Sequence, residues 1–480
     1  MIKNHLQELI VDKLGFSPSE DQKEVIRLLS EFTFSDDPDS IFLLRGYAGT
    51  GKTSVLSSFV KTMDELKRRC VLLAPTGRAA KVLSRYSGKQ AYTIHKKIYR
   101  QQSSTDGTGR FTLDKNLYKN TWFIVDEASM IANASMAQSV FGSGRLLDDL
   151  IEYVYTGENC RLILTGDTAQ LPPVGLPISP ALDAQELDSY GRNVLEYEMT
   201  QVIRQAQESG ILYNATQLRE MVSEDGFFPG YFPLETQFFD DIQRLAGGDL
   251  IEEISTCYDR FGMDETMIVT RSNKRANKFN EGIRNTILYK DGEITPGDHL
   301  MVVKNNYFWL EGNDQVDFIA NGDIAEIIRI GKYEEMYGHR FANVTVRLMD
   351  YKDLEIDCKI MLDTLMLETP ALSADEQMKF FHEVSADYAD IRNKKQRWER
   401  IRSNEYFNAL QVKFAYAVTC HKAQGGQWKA VFVDQGYLLE EMIDIEFLRW
   451  LYTAFTRPTQ KLYLVNFNKE FFEGEEDPDY

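Results

Sequence analysis

Residues Gly46-Tyr47-Ala48-Gly49-Thr50-Gly51-Lys52-Thr53 fit the pattern G-x-x-x-x-G-K-[ST]. They lie between a short apolar run, Ile41 to Gly46, and a helix-forming stretch, Thr53 to Leu66. Strand, glycine loop and helix in that order constrain a chain to parallel α/β architecture, because the loop works only where a helix N-terminus faces a phosphate. Glycines at 46, 49 and 51 let backbone N–H groups close around the anion, with Ala48 and Thr50 completing the turn. Lys52 is placed to reach the β and γ phosphates and the Thr53 hydroxyl to ligate Mg²⁺. The bland alternative, a glycine-rich turn that binds nothing, is disfavoured by the elements on either side.

Such a loop does not by itself separate a kinase from a GTPase or a motor. A second apolar run, Trp122 to Glu127, ends in Asp126 and Glu127. One carboxylate can hold Mg²⁺ through water while the next activates the attacking water, so hydrolysis is the expected reaction. Two further runs, Val71 to Thr76 and Arg161 to Asp167, alternate with helical stretches, the sign of parallel βαβ units. The alternation returns at Thr266 to Asn273, Lys429 to Asp434 and Lys461 to Phe467. Between these, from about Ile294 to Ile360, four strand-like runs separated by turns predict a small β-barrel or sheet. Ser17, Pro18 and Glu20 predict a capping box opening a helix ahead of the first strand. The cluster between Gln101 and Leu113 predicts a hairpin turn.

With 480 residues, about three or four domains are expected. The net charge of −19 argues against tight nonspecific duplex binding, yet a strand is held by local contacts in a groove, and global charge does not exclude one. Five scattered cysteines without a C-x-x-C pair predict free thiols in a reducing compartment, hence the cytoplasm, and no zinc site. No apolar run approaches the roughly 18 residues of a membrane span, and the first residues lack a secretory signal.

Beyond these features, an ordered set of motifs from Gln22 to Arg457 resembles the superfamily 1 helicases of the RecD, Dda and Pif group. APTGRAA (Ala74 to Ala80) resembles motif Ia and TIHK (Thr93 to Lys96) motif Ib, which implies contacts from Pro75, Thr76, Arg78 and His95 to a nucleic-acid strand. DEAS (Asp126 to Ser129) resembles the helicase Walker B motif, and LTGDTAQLPPVG (Leu164 to Gly175) motif III, with Gln170 contacting the γ-phosphate. MTQVIRQ (Met199 to Gln205) resembles motif IV and YTAFTR (Tyr452 to Arg457) motif VI, making Arg204 and Arg457 the candidate arginine fingers. VTCHKAQGGQW (Val418 to Trp428) resembles motif V, implying strand contacts from Thr419, His421 and Lys422 and a phosphate-side role for Gly425. Gln22 resembles the family's adenine-reading glutamine; an exposed helix residue is the bland alternative.

The resemblance implies an α/β fold of tandem RecA-like lobes that bind ATP and Mg²⁺ between them. The expected division is a first lobe over 1–185 with a hairpin insertion at 96–120, and a second over 186–293 and 411–470. A β-barrel insertion is expected at 294–370, a charged helical insertion at 371–410, most simply a solvated pair, and an acidic tail at 471–480. The implied activity is ATP-dependent 5′-to-3′ movement on single-stranded DNA with unwinding at single-strand/duplex junctions, in DNA repair or recombination. An RNA-directed or non-unwinding translocase and a non-enzymatic ATP-gated binding module are the alternatives. Phe111 stands where relatives carry a strand-splitting pin and is equally suited to the core of its hairpin; Lys304, Asn305 and Asn321 are weaker strand-contact candidates. Pro458 departs from the small residue usual after the second finger.

Overall fold

A run such as Ile41-Phe42-Leu43-Leu44 alternates nothing, so its strand needs cover on both faces, and all four side chains are fully buried. The computed structural model describes residues 2–101, 111–133, 142–202, 209–223, 230–310, 318–349, 351 and 354–472. Its first half contains β1 (Ser40–Gly46), β2 (Arg69–Ala74), β3 (Ala91–Thr93), the antiparallel pair β4 (Tyr99–Gln101) and β5 (Phe111–Leu113), β6 (Thr121–Val125), β7 (Arg161–Gly166) and β8 (Asn193–Met199). Six of these make one parallel sheet in the order β3-β2-β6-β7-β1-β8. That order sets β6, β7 and β1 side by side, so everything following their carboxyl ends opens on one crevice, where ligands of open α/β sheets bind.

The second half holds β9 (Ile242–Leu245), β10 (Thr266–Thr270), β11 (His299–Val302), β12 (Ile324–Met336), β13 (His339–Leu348), β14 (Leu354–Met361), β15 (Leu410–Phe414), β16 (Ala417–Thr419), β17 (Trp428–Asp434) and β18 (Pro458–Val465). A second parallel sheet runs β16-β10-β17-β18-β9. Strands β11 to β15 close a barrel, with β15 between β11 and β14. Helices Ala374–Ala386 and Lys394–Arg402 fall between β14 and β15 and cover the barrel through Phe341, Met361, Phe380, Val384 and Ile401. Among the described residues no helix is long and apolar enough to cross a membrane, and all five cysteines are free and buried.

Three boundaries differ from the sequence expectations. Strand β8 lies beyond residue 185 yet pairs with β1 in the first sheet; as a half-buried edge strand, Asn-Val-Leu-Glu-Tyr-Glu-Met carries too many charges to read as core. The barrel takes its fifth strand from 410–414, after the helical pair, so it extends past the expected 294–370. The first capping box is Ser19 with Gln22, not Ser17 with Glu20, and the helix begins at Glu20. Gln22 is what decides that shift, because its amide also donates to Thr50 O at 3.4 Å and so ties the helix start to the phosphate loop.

One carboxylate joins barrel and second sheet. The fully buried Asp298 accepts from Arg284 Nε (3.1 Å) and Nη2 (3.0 Å), Lys290 Nζ (3.1 Å), Thr295 N (2.7 Å) and Tyr416 O–H (2.9 Å). Burial alone would raise its pKa, but the Arg284 hydrogen bond, the Thr295 N–H and the two cations outweigh it and hold the carboxyl below its usual value. Replacing it leaves buried positive charge uncompensated, so Asp298→Asn is expected to lower unfolding free energy by about 3–5 kcal/mol, measured by urea titration at pH 7.

Candidate active site between the two sheets

A cavity of about 460 Å³ separates the sheets. One wall is the loop from Tyr47 to Ser54 with Asp126, Glu127, Asp167 and Gln170; the other carries Gln427, Thr456 and Arg457. Within the loop, Gly49 (φ 77°) and Gly51 (φ 84°) occupy the left-handed region that favours glycine. A Cβ on Gly46 would sit 2.9 Å from Met199 Cβ, so that position is closed by packing. Helix Lys52–Glu65 has no side-chain cap, which leaves its first N–H groups free to meet an anion. Lys52 Nζ donates to Gly46 O and, at 2.9 Å, to Tyr47 O, so the ammonium is held over its own loop.

Asp126 and Glu127 follow β6 directly. Asp126 N donates to Leu73 O at 3.0 Å, and Asp126 Oδ1 accepts from Glu127 N at 2.9 Å. Burial first, and the neighbouring Glu127 charge second, raise the Asp126 carboxyl well above the ordinary carboxylate range, with only partial relief from the Glu127 N–H and Lys52. A partly compensated carboxylate lining the same cavity as the Thr53 hydroxyl gives oxygen donors suited to a hard divalent cation that keeps waters and phosphate oxygens as its other ligands. Among the described residues no group of three or more His, Cys, Asp or Glu side chains forms a complete cage. Glu127 itself has φ 55°, a strained backbone for a non-glycine residue and a frequent mark of a working site.

A buried hydroxyl bonds to both halves at once. Tyr452, from helix Ile445–Phe455 in the second half, donates to Asp167 Oδ2 at 2.6 Å and accepts from Ala48 N of the phosphate loop at 2.9 Å. Burial and then the Asp167 charge raise the phenol far above its usual pKa, so it stays a donor. Next to it Leu171 N donates to Thr453 Oγ1 (2.8 Å) and Gln424 Nε2 to Leu171 O (2.6 Å). Gln170 Oε1 is buried without a hydrogen-bond partner among the described residues. Arg457, only 3% exposed, donates to Thr453 O (2.9 Å), Gly426 O (3.2 Å) and Thr456 Oγ1 (2.8 Å). All three acceptors are neutral, so this buried guanidinium lacks a counter-charge among the described residues. Arg204, the other candidate finger, lies outside the described residues.

The expected strand-contact residues gather where the barrel meets the first sheet. Pro75 leads out of β2 and Thr76 caps helix Gly77–Ser87, its Oγ1 accepting from Ala79 N at 3.2 Å. Barrel residue Asp323 sits so close to Gly77 that a Cβ there would fall 2.5 Å from Asp323 Oδ1. Thr419 ends β16 with its hydroxyl unused as a cap, His421 and Lys422 follow in the next turn, and Lys422 Nζ donates to Asn321 Oδ1 of the barrel. Asn321 N donates to Asn305 Oδ1 (2.6 Å), and Lys304 Nζ to Gln377 Oε1 (2.9 Å). Burial lowers His421, Lys304 and Lys422, the last to about 8. Burial also pushes His95 down to about 4, which makes it a neutral imidazole at physiological pH.

Four of the expected site residues are packed into the core or into the join between the halves. Arg78 stacks its guanidinium 3.9 Å from the Trp428 ring, bridging the halves. Gly425 (φ 70°) lies against helix Gly77–Ser87, where a Cβ would come 2.8 Å from Ala79 Cβ, away from the phosphate loop. Gln22 is fully buried behind the loop, its oxygen accepting from Ser19 N at 3.0 Å. Phe111 is 9% exposed with its ring 4.4 Å from that of Tyr307 in the barrel loop, so it is a packing residue in this arrangement. Tyr452, Thr453, Gln424 and Trp428 were overlooked as site residues. For Tyr452, Thr453 and Gln424 the signal is a polar atom on a buried segment, since such atoms require partners, whereas Trp428 enters through its ring under Arg78.

Comparison with known proteins gives two family models: an AAA domain over residues 18–225 and a UvrD-like helicase C-terminal domain over 414–465. The ATP-dependent RecD2 DNA helicase of Deinococcus radiodurans is 24% identical over 439 residues, covering 88% of this chain and 46% of that protein. The chain therefore spans about half the length of that relative. The ATP-dependent DNA helicase dda of Enterobacteria phage T4 is 22% identical, covering 88% of this chain and 93% of its own length. A crystal structure of Pif1 helicase from Bacteroides with ADP-AlF3 and ssDNA aligns over 96% of this chain and 95% of its own, with a TM-score of 0.47 and 14% identity.

Tyr452→Phe keeps the ring and removes the shared hydroxyl, leaving the Ala48 N–H and the Asp167 carboxylate each without that partner. The expected outcome is a loss of about 1–3 kcal/mol in unfolding free energy, read from the urea midpoint at unchanged slope. An unchanged midpoint means the relay contributes nothing.

Proposed function

We propose that this chain, whose ordered motifs resemble those of the superfamily 1 helicases of the RecD, Dda and Pif type, is an ATP-driven DNA helicase of that group, moving 5′ to 3′ along one strand and separating duplex at single-strand/duplex junctions. The observation that carries this reading is the single cavity lined by the phosphate loop, Asp126 and Glu127 on one side and Arg457 on the other. A site assembled from both halves makes turnover depend on their closure, which is what a motor requires.

In this reading Lys52 leaves the Gly46 and Tyr47 carbonyls to neutralise the β and γ phosphates of ATP. Thr53 and Asp126 would hold Mg²⁺, whose charge would offset that developing on the phosphate oxygens. Glu127 accepts the proton of the attacking water. Gln170 contacts the γ-phosphate through its amide N–H groups, which leaves its oxygen, unpartnered among the described residues, to accept from the attacking water. Arg457 and Arg204 bring positive charge to the transferring group, a contribution of about 10³–10⁵ in rate for an arginine finger. Thr76, Thr419, His421 and Lys422 hold the strand under the barrel, with His95 as a neutral donor or acceptor. Alternate closing and opening of the cavity shifts grip between the halves and advances the strand. The cytoplasm, and repair or recombination intermediates with exposed single strands, are the setting this activity suits.

Strand displacement on duplexes with either a 5′ or a 3′ single-stranded tail tests activity and polarity together. Displacement from the 5′-tailed substrate alone is expected, abolished in Lys52→Ala; equal displacement by that variant, or preference for the 3′ tail, overturns the corresponding part of the proposal. Lys422 supplies a pH test. Burial holds its ammonium at about 8, so in the free protein the charge is present below that pH and lost above it. Strand affinity is expected to fall between pH 7 and pH 9 in the wild type and to fall less in Lys422→Arg, whose guanidinium does not titrate there. Identical profiles remove Lys422 from the groove.

A further inference from the structure

Between Ile391 and Ser403 the chain carries Arg392, Lys394, Lys395, Arg397, Arg400 and Arg402 against a single acid, Glu399, in a protein of net charge −19. Most of these fall on helix Lys394–Arg402, inserted after the fourth barrel strand. One side of the helix is fixed to the fold: Ile401 is buried, Trp398 lies 5.7 Å from the Phe381 ring, and Arg397 donates to Tyr388 O (3.1 Å) and Ala389 O (3.2 Å). Arg392, Lys394, Lys395 and Arg400 are exposed, and among the described residues their side chains make no ion pair or hydrogen bond. The facing helix contributes Glu383 and Asp387, yet Asp387 accepts from Tyr337 O–H and neither pairs with these cations. Surface cations elsewhere find carboxylates readily, as Lys23 does with Glu20 and Arg347 with Glu326 and Glu355. A cluster left unpaired amid so much acid is a local anion-seeking surface.

Its position is set by Asn408. The Asn408 amide donates to Arg402 O at 2.6 Å, and its carbonyl oxygen accepts from Trp309 Nε1 (2.8 Å) and Asn306 Nδ2 (2.7 Å). Those two residues flank Tyr307, whose ring meets Phe111 at the base of the hairpin of the first half. The basic helix is therefore braced to the loop that touches the hairpin.

We propose that helix Lys394–Arg402 docks the phosphate backbone of duplex DNA beside the hairpin, as a contact separate from the single-strand groove. The proposal rests on the DNA helicase reading above. A helix presenting unpaired cations meets regularly spaced phosphates without reading bases, so the contact is sequence-independent and salt-sensitive. It offsets, at the one place where duplex must be met, the repulsion of an acidic protein.

The test is the salt dependence of binding to a forked duplex and to the single-stranded tail alone, by fluorescence anisotropy without nucleotide. Wild type is compared with K394Q/K395Q/R400Q and with the charge-keeping K394R/K395R/R400K. Each phosphate contact removed flattens the slope of log affinity against log salt by about 0.9, so the glutamine variant is expected to lose up to about 2.7 of slope on the fork and none on the tail. The charge-keeping variant is expected to match wild type. An unchanged fork slope, an equal loss on the tail, or a loss in the charge-keeping variant each overturns the proposal. Strand-stimulated ATP turnover of the wild type is measured alongside: its absence sinks the helicase reading, whereas turnover with an unchanged fork slope sinks the helix contact alone.

Discussion

The Tyr452 hydroxyl is the contact on which the arrangement of the two halves depends. It is buried, it accepts from one backbone N–H of the phosphate loop, and it donates to the carboxylate that ends β7. Removed from water, such a short chain of hydrogen bonds is electrostatically stronger than the same groups at a surface, and each group is costly to leave unpaired. The Leu171 backbone, held at its N–H by Thr453 and at its carbonyl by Gln424, extends the same join by one turn. Phosphate loop, β7 end and second-half helix thus share partners, and a change in the position of one is felt by the others.

Beneath the barrel the electrostatics are local. A net charge of −19 describes the whole surface, yet Lys422 and Lys304 stand on the groove side, where desolvation lowers the pKa of both. Desolvation makes an ammonium weakly basic in the empty groove, and an arriving phosphate restores its preference for the proton. Weak intrinsic charge is no handicap to a protein that must release what it holds.

Much of this was legible in the chain because its main signals are local. The phosphate loop announces itself by glycine spacing, and Asp126 and Glu127 by standing at the end of an apolar run. What escaped depends on partners far away in sequence. Strand β8 is an edge strand whose charges hide its role, and β15 reaches the barrel only after the helical insertion. The cap falls on Ser19 and not on Ser17, and its partner Gln22 also reaches Thr50 across 28 positions, a contact that no local pattern announces. Phe111 could have faced a base or a ring, and only the fold brings Tyr307 to it. Arg78 and Gly425 belong to strand-binding and phosphate-side motifs by pattern, but the close approach of the motif V turn to helix Gly77–Ser87 assigns them to the join between the halves.

The passage from barrel to second sheet is only Ala415 and Tyr416, both buried, between β15 and β16. Asn280 clamps that passage from both sides, donating to Phe414 O (3.2 Å) and Ala417 O (3.0 Å) while its oxygen accepts from Ala417 N (2.7 Å). Tyr416 adds its hydroxyl to the Asp298 cluster. A joint so short and so thoroughly bonded has no slack. The barrel cannot swing as an independent lid; it travels as a stiff outrigger of the second sheet, and a small rotation at the nucleotide is delivered, lengthened by that lever arm, to whatever lies under it.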